Sequence, residues 1–133
     1  MVKGSAVYAP EILIIEDDDA LRGELVELLK ALGATVTGVS DGAAALASSR
    51  AHAFDLVLCD YKLRAESGLD VLKALAGESG VRLPEKLYLM TAHLDLTVAA
   101  RAEIAASTRG LLMKPIGVAQ LRELVACAGG APC

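Results

Sequence analysis

The chain has no tryptophan, one phenylalanine and three tyrosines, so aromatic residues make up 3% of it. That poverty disfavours a protein that stacks nucleic-acid bases on aromatic platforms. The core must instead be built from Ala, Leu, Val and Ile, within a hydrophobic share of 54% that excludes an intrinsically disordered chain. Positive charge is in deficit. Thirteen Lys and Arg stand against seventeen Asp and Glu, for a net charge of −4, so no overall positive field exists to attract a phosphate backbone. Cys59, Cys127 and Cys133 are odd in number and show no metal-ligand spacing, so a disulfide framework is not expected. No apolar run approaches the ~20 residues needed to span a bilayer. No basic segment followed by an apolar signal core opens the chain. These absences predict a soluble protein in a reducing, cytoplasmic setting.

The 133 residues are one domain's worth of sequence. Residues 1–10 read as a flexible leader, 11–128 as the folded domain and 129–133 as a flexible tail. Ile12, Leu13, Ile14 and Ile15 form a continuous aliphatic run ending in four acids, Glu16 to Asp19, which marks a strand buried on both faces. Leu21, Leu25, Leu28, Leu29 and Leu32 then recur at helical spacing, with Arg22, Glu24, Glu27 and Lys30 largely on the other side. Asp18 or Asp19 is a fitting N-cap and Gly33 a fitting stop; Gly23, costly inside a helix, suggests close packing there.

The unit repeats. A β-branched strand, Thr35 to Val39, precedes Asp41 as a cap and an Ala-rich helix to about Arg50. The apolar run Leu56, Val57, Leu58 and Cys59 ends at Asp60, and a helix follows Gly68 through Leu69, Val71, Leu72 and Leu75. Another strand, Leu87 to Met90, ends at Thr91, and an alanine-rich helix is expected over residues 95–107. Gly110 to Met113 is the last strand, closed by Lys114 and Pro115; Val118, Leu121, Leu124 and Val125 line the last helix. Five strands alternating with five helices predict a doubly wound α/β fold, a parallel sheet covered on both faces.

In such sheets ligands bind beyond the carboxyl ends of the strands. Those ends carry Glu16 and Asp17, then Asp60, Thr91 and Lys114. Three carboxylates, a hydroxyl and an ammonium converge if strands one, three, four and five are neighbours. Clustered carboxylates need a cation, and hard oxygen donors without His or Cys favour Mg²⁺. A carboxylate held beside such a metal can act as nucleophile toward a phosphoryl group, with Lys114 and Thr91 placed for the phosphoryl oxygens. Asp60, central in the set, is the candidate acceptor.

Five segments in this order carry a resemblance. They are residues 12–18, 54–60, Ser67-Gly68-Leu69, 89–92 and Met113-Lys114-Pro115-Ile116. Over residues 11–127 the chain resembles the receiver domain of two-component response regulators, and the separations between Asp17, Asp60, Thr91 and Lys114 agree with that family's layout. The Leu111-Leu112-Met113 run looks like receivers attached to hybrid histidine kinases. The resemblance implies a flavodoxin-like (βα)5 sandwich with strand order 2-1-3-4-5 and a phosphoryl group accepted on Asp60. It implies Mg²⁺ held by Asp17 and Asp60, with Glu16 acting through metal-bound water and Lys62 offering its backbone carbonyl. Thr91 would be the switch hydroxyl, Lys114 the phosphate-binding lysine and Ala92 the small residue that keeps the pocket open. Pro115 would follow a cis peptide bond. Lys62 and His93 would line the mouth of the site and influence hydrolysis of the acyl phosphate. Leu111 stands where many receivers carry the Tyr or Phe that moves inward on activation, so the aromatic step of the switch is missing.

Implied partners are a histidine kinase or phosphotransfer protein and a downstream protein bound by the face of the fourth helix, fifth strand and fifth helix. No direct nucleic-acid contact or membrane insertion is expected, and the chain is expected to be a monomer or weak dimer. With no length left for an effector, output would pass through a partner or a domain outside this sequence. Other readings fit the residues less well. A phosphatase of the haloacid dehalogenase type needs a second acid two residues after its nucleophile, where Lys62 stands. A nucleotide-binding fold needs a glycine-rich turn after the first strand, where Glu16 to Asp19 stand instead. A receiver used only for docking would not need its acid, Thr and Lys set intact. Outside the set, Asp18 and Asp19 read as helix caps, Cys59 as a core residue, and His52 as solvated or capping.

Overall fold

In the computed structural model, described for residues 9–92 and 95–133, the ten elements follow the alternation of the sequence. They are β1 (Glu11–Ile15), α1 (Asp19–Ala31), β2 (Thr35–Val39), α2 (Gly42–Ala51), β3 (Leu56–Asp60), α3 (Gly68–Ala76), β4 (Leu87–Thr91), α4 (Val98–Ser107), β5 (Gly110–Met113) and α5 (Val118–Ala128). All strand pairs are parallel, and the sheet order is β2-β1-β3-β4-β5.

Successive side chains of a strand point to opposite faces, so each aliphatic run feeds two cores. Ile12, Ile14, Leu56, Leu58 and Met90 face one layer with Leu25 and Leu29 of α1 and Leu121 and Leu124 of α5. Leu13, Ile15, Val57, Cys59 and Leu89 face the other with Ala45, Val71, Leu72, Leu75 and Ile104 of α2, α3 and α4. Residues 12–15 are fully buried, as a strand second from the edge of a covered sheet must be. Among the described residues no helix is long and apolar enough to cross a membrane.

The helix starts are chemical. Asp18, Asp41 and Ser67 cap α1, α2 and α3 by accepting backbone N–H bonds from Leu21, Ala44, and Leu69 with Asp70. Gly33 ends α1 at φ 104°, in the left-handed region that glycine enters freely. The fourth helix begins later than expected. Thr97 caps it at Ala100 N–H (3.0 Å), so residues 95–97 lie before α4 and not in it.

Three further expectations need correction. Gly23 lies on the exposed face of α1, where a Cβ would meet nothing within 4 Å, so it serves no close packing. The close approach is at Gly38 of β2, whose Cβ would stand 2.8 Å from Val26 Cγ2 on α1. Arg22 does not lie on the solvent side; it turns back and donates from Nη1 to the Glu16 carbonyl at 2.8 Å. Finally, Cys127 and Cys133 form a disulfide. The chain turns after α5, with Gly130 at φ 112° and Ala131 N–H on the Ala126 carbonyl, which brings two cysteines six apart in sequence side by side. Residues 1–8, which hold most of the expected leader, lie outside the described residues.

Candidate functional site

The strand order makes β1, β3, β4 and β5 neighbours, so the residues after each come to one end of the sheet. Glu16 follows β1 and is 1% exposed, its N–H tied to the Val39 carbonyl. Asp17 beside it is half-buried. Asp60 closes β3 and is 7% exposed. Glu16, Asp17 and Asp60 each place a carboxylate oxygen within 4.8 Å of the others. Lys114 arrives from the end of β5, where its N–H donates to the Thr91 carbonyl at 2.8 Å and so ties β5 to the end of β4. Its Nζ lies 2.7 Å from Glu16 Oε1 and 3.2 Å from Asp60 Oδ2. Thr91 is buried at the end of β4, and Ala92 after it is exposed.

The charges are coupled. Burial pushes the Glu16 carboxyl above the ordinary carboxylate value, against the hydrogen bonds from Lys114 and the Asp18 N–H. Burial alone would lower Lys114, but the bond to Glu16 and the charge of Asp60 outweigh it, and the ammonium is held above its usual value. One ammonium against three carboxylates leaves the cluster negative. The donor set is all oxygen, which fits a hard divalent cation and fits zinc poorly.

The loop after β3 wraps the site. Lys62 forms a bridge with Ser67, Leu63 N–H donates to the Glu66 carbonyl at 3.0 Å, and Gly68 N–H to the Tyr61 carbonyl at 2.7 Å. Lys62 N–H lies 3.5 Å from Asp60 Oδ1. The return depends on Gly68, because a Cβ there would sit 2.0 Å from the Asp60 carbonyl oxygen. Cys59 Sγ packs 3.4 Å from that same carbonyl; burial, then the charge of Asp60, pushes its thiol far up, so it is an inert core residue.

Leu111 is half-buried against the layer that contains Leu89 and Ile104. Pro115 is exposed and follows a cis peptide bond from Lys114. His52 caps the far end of α2 and stands apart from the cluster. His93 lies outside the described residues. Two side chains that border the site were not singled out from sequence. Arg22 braces the Glu16 carbonyl, and Glu66 reaches from the loop to Gly42 on α2. Neither has a motif; each is found only through a partner distant in sequence or on a facing turn.

Residues 12–126 match the family model described as the response regulator receiver domain. The chain belongs to that family. This receiver is similar to a CheY-like response regulator receiver domain from Methylobacillus flagellatus (TM-score 0.79, 26% identity, 91% of this chain and 99% of that one). It is also similar to the receiver domain of a sensor histidine kinase from Pseudomonas aeruginosa, whose structure holds a magnesium ion in the active-site cleft (TM-score 0.75, 28% identity, 93% and 100%). Among curated proteins it is 33% identical over 115 residues to the DNA-binding response regulator MtrA of Mycolicibacterium smegmatis. It is 31% identical over 115 residues to Ethylene receptor 2 of Oryza sativa. The receiver spans 47% of the former and 15% of the latter. Family membership makes it a signal-receiving module of the two-component kind, and sets aside the phosphatase and nucleotide-binding readings.

Proposed function

We propose that this receiver takes a phosphoryl group from the phosphohistidine of a kinase or phosphotransfer protein onto Asp60, and that this changes a partner-binding surface. The observation that carries the reading is the meeting of Glu16, Asp17, Asp60 and Lys114 at the ends of neighbouring strands, with Thr91 buried at the end of β4, the strand between β3 and β5. Glu16, Asp17, Asp60 and the Lys62 carbonyl would hold Mg²⁺, Glu16 through water; when bound, the metal supplies charge neutralisation for the phosphoryl oxygens. An Asp60 carboxylate oxygen attacks phosphorus in line, the O–P bond forming as the P–N bond to the imidazole breaks. Lys114, already within reach of Asp60, stabilises charge on the phosphoryl group. The Thr91 hydroxyl takes one phosphoryl oxygen, which draws the end of β4 and, through the Thr91 carbonyl bond to Lys114, the end of β5.

The surface so altered is the α4-β5-α5 face, where Val98, Met113 and Val118 are exposed. A ligand of this kind biases two pre-existing arrangements, so the phosphoryl group must contact them differently. With Leu111 in place of an aromatic ring, the change passes through the backbone tie of β4 to β5 and not through a ring that swings inward. The chain is a phosphoacceptor that promotes its own phosphorylation by such a donor and the later hydrolysis of the Asp60 acyl phosphate. Incubation with acetyl phosphate and Mg²⁺, read by intact mass, is expected to add one phosphoryl group to the wild type and none to Asp60→Asn. Stoichiometric labelling of that variant would move the acceptor elsewhere.

A further inference from the structure

Glu66 stands outside the carboxylate cluster, on the loop between β3 and α3, and its side chain reaches to a different helix. Its Oε2 accepts the backbone N–H of Gly42 at 2.9 Å. Gly42 is the first residue of α2, so this N–H has no partner within the helix and favours a negative charge. Asp41 takes the Ala44 N–H at 2.8 Å, so each of the two acids answers one donor of the first turn. The contact is shaped from both sides. A Cβ on Gly42 would stand 3.0 and 3.2 Å from the two Glu66 oxygens and 3.2 Å from Val71 Cγ2, so glycine is what lets the carboxylate seat.

The inner side of this loop is the site itself. Lys62 presents its N–H to Asp60, and its carbonyl belongs to the proposed metal set. The bonds within residues 61–68 close the loop on itself, and Tyr61 N–H anchors its start on the Met90 carbonyl at 2.7 Å, which leaves the far side of the loop to Glu66. Among the described residues, Glu66 is the one residue of this loop whose own side chain hydrogen-bonds an element other than the helix the loop leads into.

We infer that Glu66 is a positioning residue: its bond to the N-terminus of α2 holds the β3–α3 loop against Asp60 and keeps the Lys62 carbonyl facing the carboxylates. This rests on the reading of Asp60 as phosphoacceptor with Mg²⁺ beside it. An acid near a cation site could also act through charge alone, and the variants separate the two. Glu66→Gln keeps an oxygen acceptor and removes the charge. Glu66→Ala removes both, and Gly42→Ala displaces the carboxylate while keeping it.

The test is a calorimetric titration with Mg²⁺ at low and high NaCl, with acetyl phosphate labelling rates across the same Mg²⁺ range. Hydrogen exchange of the residue 61–68 amides completes it. Glu66→Gln is expected within about twofold of wild type, because a neutral acceptor weakens the bond without removing it. Glu66→Ala and Gly42→Ala are expected to bind Mg²⁺ about three- to tenfold more weakly, because apparent affinity falls with the fraction of time the loop is seated. Their maximal labelling rate at saturating Mg²⁺ should be retained, and their loop amides should exchange faster. Equal losses in Glu66→Gln and Glu66→Ala that shrink at high salt would show a charge effect and overturn the inference. So would wild-type Mg²⁺ affinity and loop exchange in Glu66→Ala, or a lowered melting temperature with both unchanged. A wild type that neither binds Mg²⁺ nor labels at Asp60 would instead remove the proposed function, and loop exchange in Glu66→Ala would still decide whether the latch exists.

Discussion

Replacing Lys114 by methionine tests the electrostatics of the site, because it keeps the stem's bulk and removes the ammonium. That ammonium lies 2.7 Å from Glu16 and 3.2 Å from Asp60, with its own side chain 17% exposed. At an effective dielectric near 20 the two gross attractions are about 6 and about 5 kcal/mol. Most of this offsets desolvation, and breaking such a pair leaves a net loss of about 3–5 kcal/mol, mainly from the uncompensated charge that remains. A loss of about 3 kcal/mol would lower the urea midpoint by about 1.5 M at a slope of about 2 kcal/mol/M. The variant should still fold, since domains of this size are stable by about 5–15 kcal/mol.

The defect must depend on pH. Lys114 is raised in the folded protein, so its contribution is complete below its unfolded value and is lost only as pH climbs through the folded one. Glu16 is raised by burial, so its ionisation costs stability as pH rises from the ordinary carboxylate value through its folded one; without Lys114 that cost grows. Urea unfolding of Lys114→Met without divalent cations is therefore expected to show a larger loss at pH 8 than at pH 5, because the uncompensated buried Glu16 carboxylate costs more as pH rises. Mg²⁺ at about 100 times its dissociation constant should restore about 2.7 kcal/mol at pH 8. An unchanged midpoint at pH 8, or an equal loss at both pH values, would mean that the Lys114 ammonium does not compensate the buried Glu16 carboxylate.

Two other outcomes follow from the same geometry. Gly68→Ala puts a Cβ 2.0 Å from the carbonyl of Asp60, on a strand hydrogen-bonded to both neighbours, and is expected to lose about 3 kcal/mol or more; a wild-type urea midpoint would contradict it. Unreduced native protein should show no fast-reacting thiol, because Cys59 is buried with its ionisation suppressed and Cys127 is bonded to Cys133. Denaturation should release one thiol, reduction should release three, and loss of the short disulfide loop should cost about 2 kcal/mol on the chain-entropy model. Two or more thiols in unreduced denatured protein would exclude the bond.

Much of the molecule was legible because each signal was local. Residues 12–15 and 56–59 read as strands buried on both faces, since a parallel sheet covered on both sides demands unbroken aliphatic runs. Asp18 and Asp41 read as caps because a short side chain before a helical pattern answers the same orphan donors wherever it occurs. The positions of Asp60, Thr91 and Lys114 at one end of the sheet were legible because each stands at the end of an apolar run that reads as a strand. The failures were of two kinds. At residues 95–97 the helix pattern of α4 was weak and alanine-rich, and nothing local favoured Asp95 over Thr97 as its start. Gly23 and Arg22 were misjudged because propensity and helical facing say nothing about which neighbour packs on a residue.

The alternation of five strands and five helices, and the kinds of side chain after each strand, follow from the sequence read segment by segment. Those are properties of runs, periods and caps that need no partner. Whatever depends on two distant segments meeting was set by how the chain packs. That packing set Lys114 between Glu16 and Asp60, and Glu66 on the first turn of α2. It placed Gly38 under Val26 and Gly68 against the carbonyl of Asp60. It also brought Cys133 back to Cys127. The reason is the same in each case: a close contact depends on the paths of two chain segments, and sequence patterning specifies each path only to within a face.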